Sequence, residues 1–139
     1  METEDLGGFL GKENRVAVVG VSGDHEKWGY RIYDGLRSAG FNVCAVNPRY
    51  EEVDGSKCYP DLESIPESKK PDVVVTVVPP NVTEQIVIEC RNLGIKKIWM
   101  QPGSESKESI DFCRESDICV VYNACFVVDG LKQKNLMIQ

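Results

Sequence analysis

The stretch Arg15-Val16-Ala17-Val18-Val19-Gly20-Val21-Ser22-Gly23 constrains this chain more than any other. Four consecutive apolar residues, Val16 to Val19, run into Gly20, Ser22 and Gly23. An apolar run without alternation predicts a strand covered on both faces, as in a parallel sheet. Its glycine-rich end predicts a turn whose backbone N–H groups can approach a phosphate. Beyond the turn, Trp28, Ile32 and Leu36 recur one helical turn apart. Strand, small-residue turn and helix together make the first half of a nucleotide-binding βαβ unit.

The alternation continues down the chain. The first strand is expected over Arg15–Val21 and the first helix over Trp28–Ala39, closed by Gly40. A second strand, Phe41–Val46, stops at Asn47-Pro48, because proline cannot continue a central strand. Residues 50–70 are rich in charge, Gly, Ser and Pro and read as a surface excursion pinned by Cys58-Tyr59-Pro60, Leu62 and Ile65. Val73–Val78 reads as a central parallel strand ending at Pro79-Pro80. Asn81 and Glu84 have capping-box spacing, and Val82, Ile86, Cys90 and Leu93 form a helical stripe closed by Gly94. Ile95–Met100, a helix over Ser106–Ser116 and a strand over Ile118–Tyr122 complete the pattern. The expected fold is α/β: a single-domain, Rossmann-like, doubly wound sheet of about five mainly parallel strands with helices on both faces. Residues 1–14 form an N-terminal lead with Leu6, Phe9 and Leu10 at near-helical spacing, 15–130 the nucleotide-binding domain, and 131–139 a tail with the apolar triplet Leu136-Met137-Ile138.

Charge narrows the function classes. The 139 residues carry 22 acidic and 16 basic side chains, a net charge of −6, which disfavours nucleic acid as a general partner. No apolar run reaches membrane-spanning length, and the acidic start (Glu2, Glu4, Asp5) lacks the basic flank of a secretory signal. The six cysteines contain no C-x-x-C pair, and His25 is the sole histidine, so no zinc-site spacing exists. Reduced thiols in a cytoplasmic protein without a metal are expected. His25 lies among Asp24, Glu26 and Lys27 and reads as a solvated surface residue, since a catalytic base needs a positioned partner.

In such sheets ligands sit outside the carboxyl ends of the strands. That rule gathers Gly20–Lys27, Asn47–Arg49, Val78–Pro80, Gln101–Gly103 and Asn123–Cys125 at one edge. No acid–base dyad stands out among them. The dinucleotide pattern G-x-G-x-x-G is imperfect, because Ser22 replaces the second glycine and Gly29 follows a long loop. An NAD-binding strand commonly ends in Asp or Glu, which holds the ribose. Here the second strand ends in Asn47-Pro48-Arg49, an amide and a cation. That end suits a phosphorylated ribose, as in NADP or coenzyme A, with Arg49 pairing the phosphate. The competing reading of Arg49 is a solvated loop cation.

Val18-Val19-Gly20-Val21-Ser22, Lys27, Gly29-Tyr30, Val46-Asn47-Pro48-Arg49, Val77-Val78-Pro79-Pro80 and Ile98-Trp99-Met100-Gln101-Pro102-Gly103 resemble the small stand-alone CoA-binding proteins. These in turn are similar to the N-terminal CoA-binding domain of the succinyl-CoA synthetase α subunit. The resemblance spans about Arg15 to Gly130. It implies that Gly20, Val21, Ser22 and Gly23 hold the diphosphate and that Lys27 neutralises phosphate charge. Asn47, Pro48 and Arg49 would meet the adenosine side, Val78, Pro79 and Pro80 would wall the crevice, and Gln101 would border it. The synthetase's phosphorylated histidine belongs to a second domain for which 139 residues leave no room, and His25 does not match it. The implied function is binding of coenzyme A or an acyl-CoA without catalysis. The alternatives are an NAD(P)-binding redox module and the CoA-binding part of a split acyl-CoA synthetase. A homo-oligomer and a partner synthetase subunit are both compatible with the chain. Cys125, near the expected end of the pantetheine arm, is a candidate for a mixed disulfide with CoA, against the simpler reading of a packing thiol.

Overall fold

A computed structural model describes residues 6–130. In chain order the elements are α1 (Leu6–Leu10), β1 (Arg15–Val19), α2 (Trp28–Ser38), β2 (Asn42–Val46), β3 (Glu52–Val53), β4 (Ser56–Tyr59), β5 (Val73–Thr76), α3 (Pro80–Leu93), β6 (Lys97–Met100), α4 (Lys107–Glu115) and β7 (Cys119–Val121). A short 3-10 turn at Glu67–Lys69 and a π-helical turn at Phe126–Gly130 complete them. The strands form one sheet in the order β3-β4-β2-β1-β5-β6-β7, parallel throughout except for the β3–β4 hairpin. The triplet Leu136-Met137-Ile138 lies outside the described residues. Among those described, no helix is long and apolar enough to cross a membrane.

Alternate residues of the central strands serve opposite layers, which is why their sequences show no polar face. Val16, Val18, Val73 and Val75 pack in one cluster with Ile32, Tyr33 and Leu36 of α2. Ala17, Val19 and Val74 pack in the other with Val87 and Cys90 of α3 and Cys113 of α4. Phe9 and Leu10 of the N-terminal lead pack onto the first layer: Phe9 is buried and meets the Trp99 ring edge-on at 5.7 Å. Trp99 is fully buried, packs on Phe126 as well, and donates from Nε1 to the Ala124 carbonyl at 2.7 Å.

The expected strands and helices are present, with shorter strands. Two further strands, β3 and β4, occupy the stretch expected to be a surface excursion. Asp54-Gly55 between them, with φ of +51° and +80°, is the two-residue turn that a hairpin of this twist favours. The sheet therefore has seven strands where about five were expected. The capping box at Asn81 and Glu84 is absent: α3 starts at Pro80, with Pro79 as its N-cap and no side-chain cap hydrogen bond. Proline suits the first helical position, where its fixed φ and missing N–H cost nothing. The capping box is found instead on α4, between Ser106 and Ser109. Gly94 closes α3 at φ +76°, as expected.

Candidate functional site

β1 lies between β2 and β5, so the chain leaves it in opposite directions and a crevice opens at the carboxyl ends. Backbone hydrogen bonds fix its floor: Gly20 N–H to the Val46 carbonyl (2.9 Å), Val77 N–H to Val19 (2.8 Å) and Asn47 N–H to Tyr59 (2.9 Å). The crevice encloses about 630 Å³. Of the residues expected from sequence, Gly20, Asn47, Pro48, Arg49 and Val78 line it. Pro60 and Asp61 after β4, and Val82, Gln85, Ile86 and Glu89 on α3, line it as well. Sequence reasoning missed these because the α3 residues read as core or as solvated helix. The positions of Pro60 and Asp61 depend on β4, which the Asp54-Gly55 signal would have revealed.

Two glycines make the strand–helix junction. Gly20 has φ +105°, and a side chain there would run into the Val77 carbonyl and Val78. Gly29, the second residue of α2, is buried with no room for a Cβ against the Gly20 carbonyl. The late glycine of the imperfect fingerprint is thus the one that lets helix and strand touch.

The remaining expected residues take varied positions. Val21 is fully buried, and its carbonyl accepts from Asn47 Nδ2 at 2.8 Å, while Asn47 Oδ1 accepts from the Arg49 N–H at 2.9 Å. Asn47 therefore ties the glycine turn to the end of β2. Ser22 Oγ accepts from the Asp24 N–H at 3.0 Å and shares a hydrogen bond with the Tyr50 hydroxyl at 3.4 Å. Gly23 is exposed beside the Tyr50 ring. Lys27 is the exposed N-cap of α2, and Pro79 and Pro80 are exposed at the start of α3. Gln101 is turned into the core, 1 % exposed, where Oε1 accepts from the Phe126 N–H (2.7 Å) and Nε2 donates to Cys125 Sγ (3.2 Å). Cys125 is buried and does not line the crevice. Arg49 is exposed at the crevice, and its guanidinium has no hydrogen-bond or ion-pair partner among the described residues.

None of the six cysteines lines the crevice, whereas Glu89 does, and burial pushes its carboxyl above the usual range. The thiols of Cys44 and Cys113 are pushed up by burial to about 11 and about 12, and burial raises Cys90 further. Such thiols stay protonated at neutral pH. No group of three or more metal-ligating side chains occurs among the described residues.

His25 is exposed, as expected, yet partnered. Its ring stacks on Tyr30 at 3.9 Å, and Nε2 lies 3.0 Å from Asp54 Oδ1. The same carboxylate accepts from the Tyr30 hydroxyl and from Arg37 Nη2 at 3.1 Å. Asp54 thus clasps the loop after β1 to the tip of the β3–β4 hairpin. The hydrogen bond from Tyr30, then that from His25, hold its carboxyl below the usual value. A depressed carboxyl contributes stability above its unfolded pKa and loses it as pH falls through the folded one. The clasp should therefore persist at neutral pH and release in acid. Asp54→Ala should accelerate amide hydrogen exchange in Gly23–Lys27 at pH 7 while leaving exchange in β1 and β5 unchanged. Unchanged exchange in the loop would show that Asp54 does not restrain it.

Comparison with known proteins places this geometry. The α subunit of an ADP-forming acetate–CoA ligase II from Pyrococcus furiosus is 38% identical over 84 residues, covering 60% of this chain and 18% of that subunit. A conserved hypothetical protein from Pyrococcus furiosus superposes with a TM-score of 0.78 at 39% identity, over 83% of this chain and 97% of its own. A hypothetical protein from Pyrococcus horikoshii superposes with a TM-score of 0.86 at 31% identity, over 99% and 93%. The chain thus spans under a fifth of the ligase subunit and nearly all of the two small structural relatives. The model of the CoA binding domain family matches residues 14–130, and the chain belongs to that family.

Proposed function

We propose that the chain binds coenzyme A or an acyl-CoA in the crevice at the ends of β1, β2 and β5, and catalyses no reaction of its own. The observation that carries this reading is Arg49, an unpartnered cation beside the crevice, at the strand end where an NAD site would place a carboxylate. Its guanidinium suits the ribose 3′-phosphate of coenzyme A. Backbone N–H groups of Val21, Ser22 and Gly23 and the Ser22 hydroxyl would receive the diphosphate, with Lys27 supplying a countercharge, while Gly20, whose own N–H is held by the Val46 carbonyl, would shape the turn beneath it. Asn47 would set the spacing between the diphosphate and Arg49. Pro48, Val78, Pro79 and Pro80 would wall the nucleotide, and Gln101 would brace the loop after β7 from within. The cytoplasm, where thiols stay reduced, fits the six free cysteines.

The test is thermal unfolding with CoA, acetyl-CoA, NAD and NADP in turn. A ligand at about 100 times its Kd adds roughly 2.7 kcal/mol, which raises Tm by roughly 10 °C for a domain of this size. Stabilisation by CoA is expected; stabilisation by NAD without CoA would turn the assignment to a redox module. Arg49→Ala should weaken CoA about tenfold or more and leave 3′-dephospho-CoA nearly unchanged. Equal losses for both would remove Arg49 from the phosphate.

A second reading is favoured by the ligase relative, itself named as a subunit: the chain would supply the CoA-binding part of a split acyl-CoA ligase. Stable co-purification with a chain that carries an ATP-binding domain is its expected sign. A homo-oligomer with no such partner would argue against it.

A further inference from the structure

The sheet parts near its β3–β4 edge. β2 and β4 share only the pairs Ala45–Cys58 and Val46–Tyr59. Both strands continue toward their amino ends, but the ladder stops, and a cavity of about 240 Å³ lies between Asn42–Cys44 and Ser56–Lys57. It shares no lining residue with the crevice, although the two approach each other at the end of β4, where Tyr59 lines the cavity and Pro60 the crevice.

Arg15, Lys57 and Lys69 line this cavity, and no carboxylate does, in a protein whose net charge is −6. None of the three cationic groups has an ion-pair partner among the described residues. Lys57 Nζ instead lies 5.5 Å above the Tyr59 ring. Tyr33 also lines the cavity while only 1 % exposed, and its hydroxyl has no hydrogen-bond partner among the described residues. The Tyr33 hydroxyl is not sealed in the core, so it is free to bond whatever fills the cavity. Cys44 brings no nucleophile here, because burial keeps its thiol protonated.

We propose that this wedge is a second binding site, for a small organic anion bearing carboxylate or phosphate groups. The cations neutralise its charge, the Tyr33 hydroxyl donates to it, and apolar Val43 and Ile65 cover its carbon skeleton. The volume falls below the roughly 300–1,000 Å³ of drug-sized pockets, which limits the occupant to a small metabolite. The proposal is independent of the coenzyme A reading, because its reporters Val43, Cys44, Ser56 and Lys57 line the cavity and not the crevice.

The test is NMR titration of the full ¹⁵N-labelled chain with inorganic phosphate, glycerol 3-phosphate and succinate, each with and without CoA. Saturable shifts of the Val43, Cys44, Ser56 and Lys57 amides are expected, retained with CoA present and tighter for one of the organic anions than for phosphate. The exposed double substitution Lys57→Gln/Lys69→Gln should weaken that binding about tenfold or more, with the dispersion of the spectrum retained. Tyr33→Phe should weaken it by a smaller factor. Shifts confined to Gly20, Asn47 and Arg49, inorganic phosphate binding as tightly as either organic anion, no saturable shift with any probe, or undiminished binding by the double variant would each overturn the proposal.

Discussion

Gly29→Ala is expected to destabilise the protein by about 3 kcal/mol or more and to abolish ligand binding at the crevice. The added methyl would collide with the Gly20 carbonyl and stand 3.0 Å from its carbon and 3.4 Å from Val21 Cα. These are backbone atoms, which cannot rotate away as a side-chain tip would. Gly20 cannot yield either, since its N–H is bonded to Val46 and its own Cα faces Val77 and Val78. Relief requires α2 to lift from β1, which opens the layer holding Ile32, Tyr33 and Leu36. Urea unfolding measures the loss. Gly55→Ala is the comparison: φ is +80° but nothing lies within 4 Å of the added methyl. Its cost should be about 1 kcal/mol, from backbone conformation alone. A Gly29→Ala variant as stable as wild type would mean that helix and strand do not meet there.

Trp99→Ala should cost about 4 kcal/mol, within the range for deleting a fully buried indole. The ring is a shared wall: Phe9 from the N-terminal lead, Phe126 from the π-helical turn and Gly130 all pack on it. Trp99→Phe separates the contributions. It keeps most of the apolar contact but leaves the buried Ala124 carbonyl without its donor, a loss of about 1–3 kcal/mol. Urea midpoints should therefore rank wild type above Trp99→Phe above Trp99→Ala. Equal midpoints for the two variants would show that the Ala124 hydrogen bond contributes nothing measurable.

The sequence made the α/β class legible where the physics is least ambiguous. Val16–Val19 and Val73–Thr76 have apolar side chains toward both layers, and Gly40 and Gly94 close helices with positive φ, at +91° and +76°. β3 and β4 were hidden because an edge hairpin is half solvated, and Glu52, Ser56 and Lys57 resemble a loop in composition. The face of α3 was blurred for a different reason. Thr83, Val87 and Cys90 form its buried side, whereas Val82 and Ile86 point to the crevice. Two apolar faces on one helix give a periodicity that does not say which face meets the core. Val77 and Val78 continue the apolar run of β5 without belonging to it, because Val78 walls the crevice instead. Gln101 illustrates the limit of motif carry-over: its position at the strand end was readable, but only the packing around Phe126 turns its amide inward.

Every residue that lines the crevice falls between Val19 and Asn92. β6, α4 and β7 come later and contribute sheet pairing and core, not lining. Crevice lining and sheet completion are thus segregated along the chain. During synthesis the whole lining is translated before the strands that finish the sheet.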